Sequence, residues 1–63
     1  MKAKEIRDLR SEEIEQRISE EKSQLRQLEF QHAVAHVENP MLLRHKRRLI
    51  ARLQTILRER EEA

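Results

Sequence analysis

Apolar residues recur at three- and four-residue intervals along two stretches of the chain. In the first, Ile14, Ile18, Leu25, Leu28, His32 and Ala35 fall on one side at 100° per residue, which predicts a helix over residues 12–36. Glu21 interrupts that stripe, and a basic partner such as Arg58 or Arg60 would accommodate it. Phe30, Val34 and Val37 lie on roughly the opposite side and form a second small apolar patch, a candidate protein contact. In the second stretch Leu42, Leu49, Leu53 and Ile56 repeat, with Leu43, Ile50 and Leu57 alongside, which predicts a helix over residues 40–60. Its stripe reads as centred on Leu42, Leu49, Leu53 and Leu57, and Lys46 points into it with its stem packed and its charge at the edge.

Punctuation is sparse. Val37-Glu38-Asn39-Pro40 is the one turn signal, with Asn39 suited to an N-cap and proline to the first helical position. Ser11 reads as the N-cap of the first long helix, followed by Glu12, Glu13 and Glu15 where negative charge suits the helix dipole. A short connection makes the two helices antiparallel neighbours and sets Leu28 near Leu49 and Leu25 near Leu53. The arms are about 30–37 Å long at ~1.5 Å per residue. Residues 1–10 hold only Ile6 and Leu9 at i,i+3, enough for a helical turn folded back over the open end of the seam. The expected fold is all-α: one domain over residues 1–63, a long antiparallel two-helix hairpin of coiled-coil character with a short N-terminal helical turn.

Composition sharpens this reading. The 63 residues include no cysteine and no glycine, and 41% are charged against 37% hydrophobic. So short a chain buries little surface and usually needs a staple, and without disulfides that staple is a partner. No apolar run approaches the ~20 residues of a membrane span, so no membrane partner is expected. The net charge of +2 is unevenly placed. Lys2, Lys4, Arg7 and Arg10 outweigh two acids in residues 1–10. Seven glutamates dominate residues 11–39. Seven basic groups outweigh three glutamates from Pro40 onward, and no acid interrupts Pro40 to Arg58. That asymmetry points to a polyanion met by both ends of the chain.

The cationic side of the second helix lies opposite its apolar stripe. It comprises Arg44, Arg47, Arg48 and Arg58, with Arg52 on the flank; Arg44, Arg48 and Arg52 make an i,i+4 ridge. Ala51 and Thr55 between them permit close approach of a surface. Arginine's planar fork suits phosphate oxygens. No aromatic interleaves with these arginines, so recognition of folded RNA by backbone and shape fits better than base stacking. Other chemistry is poorly supported. Glu29-Phe30-Gln31-His32 and the His32/His36 pair have metal-ligand spacing, but the second helix offers only His45 in answer, so no metal or other cofactor is expected. No nucleophile has a base and orienter, and a rod offers no pocket for a small-molecule substrate, so an enzyme is not expected.

Arg47-Arg48-Leu49-Ile50-Ala51-Arg52-Leu53-Gln54-Thr55-Ile56-Leu57 closely resembles the signature of the bacterial large-subunit ribosomal protein 29 family. Glu38-Asn39-Pro40 matches the turn of many members. The opening Met1-Lys2-Ala3-Lys4-Glu5-Ile6-Arg7, followed by Ser11-Glu12-Glu13-Ile14, is similar to the family's start. Ala35 departs from a glycine common before that turn. The resemblance implies a structural protein of the cytoplasmic ribosome, bound to large-subunit ribosomal RNA near the polypeptide exit tunnel. It implies large-subunit ribosomal protein 23 as a neighbour, and chaperone and targeting factors nearby. It assigns RNA contacts to Arg47, Arg48 and Arg52; position adds Arg44, Arg58, Lys2, Lys4, Arg7 and Arg10. The alternative is a coiled-coil adaptor or dimerising protein that offers its seam to a partner chain, and Glu21 and Lys46 weaken that seam. A basic helix in the DNA major groove would need residues that read base edges, and beyond arginine the face has almost none.

Overall fold

The computed structural model describes residues 1–35 and 40–62, with the backbone alone for Val34, Ala35 and Pro40. Three helices make up the described residues: α1 (Ala3–Arg7), α2 (Ser11–Ala35) and α3 (Pro40–Glu62). The fold is all-α, a rod of 43 × 17 × 16 Å formed by α2 against α3, with α1 lying mainly on α3. The turn residues 37–39, His36 and the side chains of Val34 and Val37 lie outside the described set. α3 continues to Glu62, two residues beyond the expected end.

The start of α2 differs from the expectation. Ser11 is its first helical residue, and Arg10 holds the cap position: its carbonyl accepts from the Ile14 N–H at 3.0 Å. The Arg10 N–H donates to Glu13 Oε1 at 3.0 Å. Glu13 thus supplies the reaching-back half of a capping box, and no cap hydroxyl is required.

The core lies at the end of the rod remote from the turn. Ile6, Ile14, Leu53 and Ile56 are buried together, flanked by Ala3, Leu9, Ile18, Leu49 and Leu57. Ile6 therefore does fold back over the open end of the seam. Leu43 and Ile50 continue the buried line toward the turn. The buried stripe of α3 is thus Leu43–Ile50–Leu53–Ile56, and Leu42, at 40% exposure, is not at its centre. Adjacent leucine and isoleucine pairs present two possible stripes to the same periodicity, and α2 takes the one through Leu43 and Ile50.

Register differs as well. The expected pairing would set Lys46 near His32. Instead Lys46 Nζ donates to Glu21 Oε2 at 2.7 Å and to Gln24 Oε1 at 2.6 Å. Leu53 shares its cluster with Ile14 and not with Leu25. At Lys46 and Leu53, α3 therefore meets a part of α2 farther from the turn than the expected pairing gives, while the long Arg47 side chain still reaches Glu29. Glu21 is 2% exposed and pairs with Lys46 and with Arg17 Nε at 3.1 Å, not with Arg58 or Arg60. Lys46, expected to need no special role, is the partner that makes a carboxylate tolerable in the seam.

A five-residue helix is unstable alone. Two arginines of α3 hold α1 in place. Arg60 Nη1 donates to the Leu9 carbonyl at 2.6 Å, and its Nη2 to those of Arg7 at 2.7 Å and Ile6 at 3.5 Å. The Ile6 carbonyl already accepts from the Leu9 N–H at 3.0 Å, but those of Arg7, at the end of α1, and Leu9, just past it, gain a donor here, so one guanidinium does part of the work of a C-cap. Arg52 Nη1 donates to the Met1 carbonyl at 2.7 Å. Arg60→Ala should cost about 1–3 kcal/mol, the worth of hydrogen bonds from a charged donor. It should also release α1, which hydrogen exchange at the Ile6 amide would report. Unchanged protection there would remove Arg60 from this role.

Candidate nucleic-acid interface

Arg44, Arg47, Arg48, Arg52 and Arg58 are all exposed on α3, turned away from the buried line. α3 is continuous from Pro40, and its seam residues fix its rotation about its own axis, so the arginines are presented on a rigid support. Their spacing works against the helix. Arg44/Arg48 and Arg48/Arg52 are like-charge i,i+4 pairs, each destabilising by roughly 0.2–0.5 kcal/mol in isolation. A sequence that keeps such a ridge gains nothing from it until an anion arrives.

The five differ in what they already hold. Arg47 Nη2 reaches Glu29 Oε1 at 3.5 Å with both side chains well exposed, a surface pair worth at most about 1 kcal/mol. Among the described residues Arg44 Nη1 has only the Met41 sulfur, at 3.9 Å. Arg52 spends one donor on the Met1 carbonyl and keeps the rest of its fork. Arg48 and Arg58 make no hydrogen bond or ion pair with a described residue. The Thr55 hydroxyl donates to the Ala51 carbonyl at 2.8 Å, which leaves its oxygen only as an acceptor toward any ligand.

Lys2, Lys4, Arg7 and Arg10 are exposed as well. The Met1–Arg52 bond brings the start of the chain beside the ridge, so Lys2 adjoins it. Arg7 lies toward the opposite end, where Arg60 holds its carbonyl. Arg60 and the anchoring part of Arg52 escaped the sequence reading because one arginine looks like another in a basic run. The available signal was the orphan carbonyls of a short helix that would need a donor. Phe30 is 71% exposed on α2, apart from these arginines, with Arg26, Gln27 and Gln31 around it.

Nothing in this arrangement performs covalent chemistry. Among the described residues no three His, Asp or Glu side chains cluster as a metal site, and none of the helices is long and apolar enough to cross a membrane. What the face can do is neutralise closely spaced negative charges.

The family model described as Ribosomal L29 protein matches residues 4–60. The large ribosomal subunit protein uL29 of Caldanaerobacter subterraneus subsp. tengcongensis is 56% identical over 61 residues, 97% of this chain and 92% of the relative. That of Moorella thermoacetica is 57% identical, covering 97% and 91%. That of Pelotomaculum thermopropionicum is 49% identical, again covering 97% and 91%. With a profile match over most of its length and relatives at about half identity from end to end, the chain belongs to the ribosomal L29 protein family.

Proposed function

We propose that this chain is a structural, non-enzymatic constituent of the large subunit of the cytoplasmic ribosome, and that it holds ribosomal RNA through the arginine side of α3. Family membership supports the first part. The observation that carries the second is the ridge of Arg44, Arg48 and Arg52 flanked by Arg47 and Arg58. All five are exposed and backed by a fixed seam, and no acid interrupts α3 from Pro40 to Arg58. Phosphate oxygens would take the guanidinium donors, and the duplex would be read by backbone and shape. Lys2, Lys4, Arg7 and Arg10 extend the cationic surface along α1. The coiled-coil adaptor reading loses ground, because the apolar seam of α3 is already occupied by α2 and α1.

Arg48→Ala tests the face, since Arg48 makes no hydrogen bond or ion pair with a described residue. It should weaken binding to a large-subunit RNA fragment and reduce the slope of log affinity against log salt by about one phosphate contact. An unchanged slope would take Arg48 out of the interface. Co-sedimentation with the large subunit through a high-salt wash tests the assignment as a whole.

We further place the chain, on the strength of its resemblance, near the polypeptide exit tunnel beside large-subunit ribosomal protein 23, within reach of chaperone and targeting factors. Phe30, with Val34 and Val37, is the proposed protein contact. Phe30→Asp should leave the salt slope of RNA binding unchanged and reduce incorporation into the subunit. Full incorporation of that variant would count against the contact.

A further inference from the structure

Ile56, Leu49 and Leu42 stand seven residues apart and so form one line along α3, which shares Ile56 with the buried stripe and diverges from it toward the turn. α1 covers one end of it. Ile56 is 4% exposed and shares its cluster with Ile6. Leu49 is half-buried, and Leu42 is 40% exposed. α1 runs parallel to α3, since the Met1 carbonyl meets Arg52 and the Leu9 carbonyl meets Arg60. The line that α1 covers at Ile56 therefore continues, uncovered, ahead of Met1 toward the turn. A groove of about 470 Å³ opens there, lined by Met1, Leu42 and Leu49 together with His45, Arg48 and Arg52. Among the described residues no carboxylate lines it. Lys46 also borders it, but its ammonium is committed to Glu21 and Gln24.

We propose that this groove receives a short acidic amphipathic helix of a partner protein, lying in line with α1. Two features select that occupant. The apolar line continues an existing helix-on-helix contact, and Leu42 to Leu49 spans about 10 Å, two helical turns. The rim carries Arg48 and Arg52, to which no described carboxylate pairs, so carboxylates on the incoming helix would find Arg48 and the free donors of Arg52. A phosphate backbone would cover the leucines with wet, charged surface and gain nothing from them. The groove shares Arg48 and Arg52 with the proposed RNA face, while its apolar floor of Leu42 and Leu49 belongs to the groove alone.

The probe is a 14-residue leucine–glutamate amphipathic peptide, titrated into isotopically labelled full-length chain and followed by amide chemical shifts. Shifts should centre on Leu42, His45 and Leu49. Leu42→Glu should weaken binding about tenfold, from lost apolar burial and added repulsion. A peptide with glutamine in place of glutamate should also bind more weakly. Leu42 is exposed, so the variant should keep its helicity; Leu42→Ala gives the same comparison should it not. Shifts centred on Arg44, Arg47 and Arg58, or binding indifferent to Leu42→Glu, would overturn the proposal. So would equal binding of the glutamine peptide. An RNA hairpin that shifts Leu42 and Leu49 as strongly as the peptide would assign the groove to nucleic acid instead.

Discussion

Lys46→Met should lower the unfolding free energy of the chain by about 3 kcal/mol, the low end of what breaking a buried ion pair costs. Glu21→Leu should cost far less. The asymmetry comes from burial: the Glu21 side chain is 3% exposed and that of Lys46 is 22%. Without Lys46, a carboxylate is left in the seam with only Arg17 beside it. Without Glu21, the lysine can keep Gln24 or turn to water, and a leucine takes the vacated place in the apolar stripe. The double variant Glu21→Leu/Lys46→Met should be as stable as the parent or more so, because well-packed apolar residues commonly match a buried pair. Urea denaturation followed by circular dichroism measures all three. Equal costs for the two single variants would show that the pair does not govern this part of the seam. The pair should also hold the slide of α3 along α2. In the double variant, contacts between methyls of Ile14 and Leu53 should weaken as other registers become populated.

Leu53→Ala should cost about 3–4 kcal/mol, and Leu42→Ala less than about 0.5 kcal/mol. Leu53 is fully buried and belongs to the cluster where α1, α2 and α3 converge, so its loss opens a cavity that three elements would have to close. Leu42 lies on the open line of α3 and buries little in the isolated chain. Sixty-three residues support a total stability of roughly 3–9 kcal/mol, so the first change consumes a large part of it. Thermal or chemical unfolding of the two variants side by side would decide. Comparable losses would mean that α3 is rotated so as to bury Leu42, against the rotation that α2 imposes.

The two long helices were legible because nothing in either stretch contradicts a 3.6-residue period. The rotation of α3 was not. Leu42-Leu43, Leu49-Ile50 and Ile56-Leu57 each offer neighbouring positions 100° apart, and periodicity cannot choose between them. The choice belongs to α2 on one side and to α1 on the other. Register was illegible for a related reason. A minimal turn favours one pairing, and the need to give buried Glu21 a cation favours another. A carboxylate left unpaired in the seam is costly, and the observed pairing gives Glu21 the cation Lys46. Ser11 fits a cap by residue type, but Glu13 already answers the Arg10 amide from inside the helix. For the candidate site, the position of the charges could be read from the chain, because an acid-free run needs no coordinates. Which arginines are spent could not. Arg60 and one donor of Arg52 are consumed by backbone carbonyls more than fifty residues away, a demand that appears only when α1 is laid on α3.

Those two arginines also impose an order in time. Residues 1–10 are synthesised before the groups that hold them, Arg52 and Arg60, which lie more than fifty residues later in the chain. A nascent chain released at residue 50 could close much of its hairpin and still have no anchor for its opening segment. The basic residues Lys2, Lys4, Arg7 and Arg10 therefore lack these anchors until the far end of α3 emerges, and only a chain made through Arg60 can present both cationic surfaces at once.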